Sequence, residues 1–406
     1  MKTILPKIKF KNFYEKWNRK KLQSIAPLRG GFAFKSEEFQ DSGIPIVRIS
    51  NIKFDGTVGG EFEYYSKINP DEKFVLRGRS ILLAMSGATT GKIAMLDSEK
   101  EYYQNQRVGY FQNTGAVDYD FLSFILQTKE FTNQLNSVLV AGAQPNISSK
   151  EINSFVFYIP ESLDEQFSIG SLFRTLDDLL ASYKDNLANY QSLKATMLSN
   201  MFPKAGQTIP KIRLDGFEGE WEEKKLSEIV DIVGGGTPDT NVKEYWDGEI
   251  NWFSPTEVGN SIYLDTSEKR ISELGLQKSS AKILPANRTI LFTSRAGIGS
   301  VGIITKDSTT NQGFQSLVTK KGIDIYFLFS YSSEITRYAL KHSAGSTFLE
   351  ISGKELGKMD IIIPSYDEQK AIGAYFSNLD NLINSHQEKI SQLETLKKKL
   401  LQDMFI

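Results

Sequence analysis

The chain has 406 residues, 40% hydrophobic and 24% charged, with a formal net charge of −1, no cysteine and two histidines. That length holds two or three domains, and the cysteine and histidine counts exclude disulfides and nearly exclude zinc sites and Cys or His nucleophiles. Near-neutral charge argues against a protein that wraps nucleic acid unaided, and no apolar run approaches the roughly 18 residues of a membrane span, so a cytoplasmic chain with no membrane partner is expected.

In chain order, residues 6–31, PKIKFKNFYEKWNRKKLQSIAPLRGG, form a leading segment that returns at 210–235 as PKIRLDGFEGEWEEKKLSEIVDIVGG. Phe13 and Trp17 pair with Phe217 and Trp221, and Lys20-Lys21-Leu22 with Lys224-Lys225-Leu226. Each copy is followed by a divergent middle of about 130 residues that keeps landmarks. Residues 44–50 and 250–256 read as strands after a glycine turn at Gly43 and Gly248. Apolar runs at 80–85 and 289–293 lead into the glycine-rich stretches 87–96 and 296–305, and then into Asn105-Gln106 and Asn311-Gln312. Each middle closes through Gly142 or Gly345 and Ile147-Ser148 or Ile351-Ser352 to a strand reaching Pro160 or Pro364. Strands with few helices predict an α+β fold.

After each middle comes a long helix, and the second repeats the first 203 residues later without a gap. Asp164 and Asp367 suit the helix starts as caps. In the first helix the apolar positions are Ile169, Leu172, Leu176, Leu179, Tyr183, Leu187, Tyr190, Leu193, Met197 and Met201. In the second they are Ile372, Tyr375, Leu379, Leu382, His386, Ile390, Leu393, Leu396, Leu400 and Met404. Steps of three and four over several heptads predict a coiled-coil seam. A helix of roughly 58 Å with one apolar stripe needs a partner, and the other copy is the nearest; the alternative is that each helix packs on its own globular half. The expected layout is a first globular domain at 1–162, a long helix at 163–203, a linker and second globular domain at 204–364, and a second long helix at 365–406.

Two stretches imitate nucleotide-binding motifs. Gly297, Gly299 and Gly302 form GxGxxG, but Val301, Ile303, Ile304 and Thr305 continue as a strand, whereas a dinucleotide site needs a helix there. GATTGK at 87–92 lacks the first half of a P-loop and runs into the apolar IAML. No catalytic constellation and no metal ligand set stands out, so a chain without its own cofactor is expected, built for binding or assembly. A coiled-coil scaffold with paired peptide- or sugar-binding domains is the alternative; an enzyme using the glycine-rich turns is a weaker one.

Two divergent middles, near-identical helices that open through Ile159 to Gln166 and Ile363 to Gln369 and close in Met-Phe, the Phe-x-x-x-Trp segments and the Ser-Arg-Ala-Gly-Ile-Gly run at 294–299 together resemble the specificity subunit of type I restriction-modification systems. The resemblance covers essentially the whole chain. It implies two target recognition domains, antiparallel helices with a pseudo-twofold relation, and a double-stranded DNA target in two parts separated by an unread gap. It further implies docking of two modification (methyltransferase) subunits and later of restriction subunits, with S-adenosylmethionine and ATP bound in those partners. The first half has Ser86 where the second has Arg295, so the arginine's role does not carry over.

Side chains suited to base edges in loops between strands are the candidates for DNA binding. In the first domain they are Lys35, Arg48, Asn51, Ser86, Thr89, Thr90, Lys92, Gln104, Asn105, Gln106, Arg107, Gln144 and Asn146. In the second they are Thr237, Trp252, Ser254, Thr256, Ser294, Arg295, Asn311, Gln312, Gln315, Ser346 and Thr347. The Asn-Gln pairs stand out because both halves keep them while their surroundings differ.

Overall fold

The apolar runs of each middle become the centre of a sheet. The computed structural model describes residues 5–139, 146–204, 206–295, 297–345 and 349–406. It divides into two units, Met1–Lys184 with Glu388–Ile406, and Asp185–Gln387, so each long helix contributes to both.

In the first unit the fully buried strand Ser80–Ala84 lies between Val108–Phe111 and Ile93–Leu96, antiparallel to both, with Leu28–Arg29 beyond. A second sheet runs Glu63–Tyr65, Ile44–Val47, Tyr102–Gln104, Val75–Leu76, and its middle pair is parallel. Leading and closing segments meet as an antiparallel pair, Asn18–Lys21 with Val156–Ile159.

The second unit repeats the plan. Thr289–Phe292 lies between Gln315–Thr319 and Val301–Ile304, with Val230–Gly234 and Tyr263–Leu264 at the edges. The smaller sheet Lys269–Ile271, Trp246–Phe253, Ser308–Thr310 keeps the parallel pair, and Glu222–Lys225 meets Asp360–Ile363. Gly248 is not a turn before the strand, as the sequence suggests; it lies inside Trp246–Phe253 where the register shifts. A Cβ there would collide with the backbone of Ile271 and Ser272, which explains the glycine.

The helices are Leu163–Asn200 and Tyr366–Asp403. Their first turns are capped by Ser162 and Ser365, whose hydroxyls accept from the N–H of Glu165 and Glu368 at 3.3 Å. Asp164 and Asp367 lie two residues past the cap, and remain as acids at the positive end of the helix dipole. The Glu-Gln that follows anchors each helix to its globular domain. Gln166 donates to the carbonyl of Pro160 and accepts from Asp118 N–H, both at 2.8 Å; Gln369 does the same with Pro364 and Asp324 at 3.0 and 3.1 Å. Gly170 and Gly373 let the helix backbone approach, since a Cβ at either would strike Asp118 or Asp324.

Within each unit the two helix segments run antiparallel. In the first, Lys397 pairs with Asp177 at 2.6 Å and Lys184 with Glu394 at 2.8 Å; in the second, Lys194 pairs with Asp380 at 2.5 Å and the Tyr190 and His386 rings meet at 5.2 Å. Both units thus contain the same lysine–aspartate pair in repeat-equivalent positions. The buried or half-buried stripe is Ile169, Phe173, Leu176, Leu180, Tyr183, Leu187, Tyr190, Lys194, Met197 and Met201, matched by Ile372, Phe376, Leu379, Ile383, His386, Ile390, Leu393, Lys397, Leu400 and Met404. This keeps strict four-three heptad spacing and corrects six expected seam residues. Leu179, Leu193, Leu382 and Leu396 are 41–43% exposed, and their seam places belong to Leu180, Lys194, Ile383 and Lys397. At Lys194 and Lys397 a lysine in the seam breaks the apolar pattern, and the neighbouring leucine then looks like the next step; Leu179 and Leu382 stand beside the apolar Leu180 and Ile383, so the sequence offers two apolar choices there. Leu172 and Tyr375 are half-buried beside Phe173 and Phe376, which hold the seam.

The Met-Phe that closes each helix finishes a core. Phe405 packs against Trp17, Phe121 and Phe173 in the first unit, and Phe202 against Trp221, Phe327, Tyr331 and Phe376 in the second. Burying such a ring contributes roughly 2 kcal/mol.

Candidate nucleic-acid interface

In each unit several loops converge at one end of the central sheet because backbone hydrogen bonds tie them there. In the first unit Phe32 N–H donates to Gln104 carbonyl at 2.8 Å, Asn105 N–H to Val47 at 3.1 Å, Met85 N–H to Arg107 at 2.9 Å and Ile147 N–H to Met85 at 2.9 Å. The second unit reproduces this with Gly236 to Thr310 at 2.8 Å, Asn311 to Phe253 at 3.1 Å, Ser294 to Gly313 at 2.8 Å and Ile351 to Ser294 at 3.0 Å. Gly31 and Gly235 permit the closest approach, since a Cβ at either would meet the carbonyls of Gln104 and Asn105, or of Thr310 and Asn311.

The convergence brings together Arg48, Ser86, Thr89, Asn105, Gln106, Arg107 and Asn146 in one unit, and Thr237, Ser254, Thr256, Arg295, Asn311 and Gln312 in the other. Gln106, Arg107, Asn146, Thr256 and Gln312 are exposed, and Gln312 accepts from the Thr237 hydroxyl. Arg48 is half-buried and paired with Glu63 at 3.2 Å. Thr90 closes the 87–90 turn by donating to Gly87 carbonyl at 2.6 Å. Lys92 lies over the Phe54 ring, and desolvation lowers its pKa from the ordinary lysine value. Lys35 is exposed and held by Glu38 at 3.0 Å. Gln315 is half-buried over Gly353. Gln144, Ser346 and Thr347 lie outside the described residues.

Four expected base readers are corrected by burial. Asn51, 1% exposed, accepts from Arg48 N–H and donates to the carbonyls of Gly59 and Glu61, so it builds the loop after Ile44–Val47. Glu257 performs the same task in the second unit, accepting from Ser254 N–H and Glu268 N–H at 2.7 Å. Gln104 is fully buried, donating to Arg29 and Val108 carbonyls and accepting from the Arg29 guanidinium. Trp252 is buried with its indole N–H on Gly236 carbonyl at 2.8 Å, and Ser294 has no exposed surface. The polar types that read bases also hold loops together, and spacing alone does not separate the two.

The shared asparagines have a structural task too. Asn105 Oδ1 accepts from Arg107 N–H at 3.1 Å, and Asn311 Oδ1 from Gly313 N–H at 2.8 Å, an Asx turn that leaves the following glutamine exposed. Glu350 joins the edge opposite Arg295, and Phe32 joins it opposite Asn105 at 41% exposure. No sequence signal marks either, because their places are set by loop pairing.

Residues 14–190 and 218–395 match the family described as type I restriction modification DNA specificity domain, once in each half. The chain belongs to this family. It is 38% identical over 192 residues to the type I restriction enzyme MjaIX specificity subunit of Methanocaldococcus jannaschii, covering 46% of this chain and 44% of that relative, so less than half of the relative's length is matched. It is 24% identical over 353 residues to the HindI specificity subunit of Haemophilus influenzae, covering 78% and 75%. The fold is shared with the crystal structure of a type I restriction-modification system S subunit from M. genitalium, at TM-score 0.64 and 16% identity over 99% of both chains. The two specificity domains of the family thus coincide with the two halves whose loop edges share one backbone frame.

Proposed function

We infer that this chain is the non-catalytic, DNA-reading subunit of a type I restriction-modification assembly, each unit recognising one half of a two-part double-stranded target. One observation carries the reading: a specificity domain in each half presents the same hydrogen-bonded loop edge with different side chains, as expected of readers that share a scaffold and differ in target. Gln106, Arg107 and Asn146 in one unit, and Thr256, Arg295 and Gln312 in the other, supply donors and acceptors of the kind that distinguish base edges in the major groove. Among the described residues no group of three or more His, Cys, Asp or Glu is placed to hold a metal ion, and no helix is long and apolar enough to cross a membrane.

The exposed leucines Leu179, Leu193, Leu382 and Leu396 give the helices an apolar outer face, suited to docking two copies of a methyltransferase subunit. Restriction subunits complete the assembly. S-adenosylmethionine and ATP belong to those partners, and this chain supplies only the address. The seam of the helices fixes the length of the unread gap.

The test is to sequence methylated adenines in DNA from cells expressing this chain with its methyltransferase partner and from cells lacking it. A gapped, asymmetric motif that depends on the chain is the expected result. Absence of any motif, with no salt-sensitive binding of the purified assembly to duplex DNA, would leave a scaffold for peptides or sugars as the better reading.

A further inference from the structure

One pair of positions is held in the same backbone frame in both units and filled with different chemistry. In the first unit Met85, bonded to Arg107 and Ile147, sets Ser86 opposite Asn146 in an antiparallel bridge; in the second, Ser294, bonded to Gly313 and Ile351, sets Arg295 opposite Glu350. Residues directly opposite in such a pair project to the same side with Cβ atoms about 5 Å apart. Arg295 is half-buried, Glu350 is exposed, and neither has an ion-pair partner among the described residues. Asn146 is exposed, whereas the Ser86 hydroxyl is buried without a partner among the described residues, so the carboxamide is the group this pair presents.

The chemistry of the two pairs differs in a readable way. A guanidinium fork matches O6 and N7 of guanine, and a carboxylate accepts from N4 of cytosine; a carboxamide matches N6 and N7 of adenine. Resting on the DNA-reading role above, we propose that these positions are the specificity-determining pair of each unit. Arg295 with Glu350 selects a G·C pair in one half-site, and Asn146 beside Ser86 selects an A·T pair at the equivalent step of the other. Gln106 and Gln312 are shared by the two units, whereas the bridge residues differ, as does the neighbouring Arg107, which stands where the second unit has Gly313.

The experiment replaces Arg295→Ser together with Glu350→Asn in the full chain, expressed with its methyltransferase partner, and sequences genomic methylation beside the parent. The expected result is a loss of roughly tenfold or more in preference for G·C at one step of one half-site, the other half-site staying unchanged. The reciprocal variant, Ser86→Arg with Asn146→Glu, is expected to move the equivalent step of the other half-site toward G·C, and it decides the question if the first variant does not fold. A parent that yields no gapped motif, and whose purified assembly shows no salt-sensitive binding to duplex DNA, removes the DNA-reading role and this inference with it. A parent motif left unchanged by folded variants, or altered in both halves by one variant, overturns the inference alone.

Discussion

Asn105 and Asn311 illustrate how one residue type serves two ends. Their side-chain oxygens close a turn, and the exposed glutamine beside each is the group left for a ligand. Asn311→Ala is therefore expected to destabilise the second unit by about 1 kcal/mol, the usual contribution of one such hydrogen bond, visible as an earlier thermal transition. Gln312→Ala is expected to leave that transition in place and to lower discrimination in one half-site by roughly tenfold. Equal loss of stability in both variants would remove this division of labour. That the two halves keep Asn-Gln was visible in the sequence; which member builds and which reads was not, because an Asx turn depends on the conformation two residues on. Burial was equally hidden for Asn51 and Gln104, whose partners are backbone carbonyls, and in Gln104's case also an arginine, set in place by folding.

At the scale of elements, the long helices were legible in period and not in phase. Threes and fours were plain, yet Lys194 and Lys397 occupy seam positions through their pairs with Asp380 and Asp177, which shifted the apolar reading onto Leu193 and Leu396. Leu180 and Leu179 separate the two faces one residue apart. Leu180→Ala, removing a side chain only 8% exposed, is expected to cost roughly 2–3 kcal/mol in denaturant unfolding. Leu179→Ala, at 42% exposure, is expected to leave unfolding almost unchanged and to weaken co-purification of the methyltransferase subunit. The reverse ranking would return the seam to its sequence-based phase. The strands Ser80–Ala84 and Thr289–Phe292, by contrast, were legible as short apolar runs, and the motif-like glycine stretch at 297–302 does lead into a strand, Val301–Ile304.

For the whole molecule, duplication is the governing fact, and it was readable because 203 residues separate two long helices without a gap. Inserting one heptad after Lys184 and another after Gln387 keeps the four-three order and adds about 10 Å to each helix. The expected outcome in methylation sequencing is a gap widened by at most about three base pairs, with both half-sites intact; altered half-sites would sink the idea of a spacer. The Met-Phe plug has a consequence of another kind. Phe202 is made before the domain it completes, but Phe405, which closes the core around Trp17 and Phe121, is made about two hundred residues after the rest of its domain. At ribosomal speeds of 5–20 residues per second that is a wait of roughly 10–40 s. The domain translated first is thus the last to be sealed, and its open aromatic pocket is the vulnerable surface of the nascent chain.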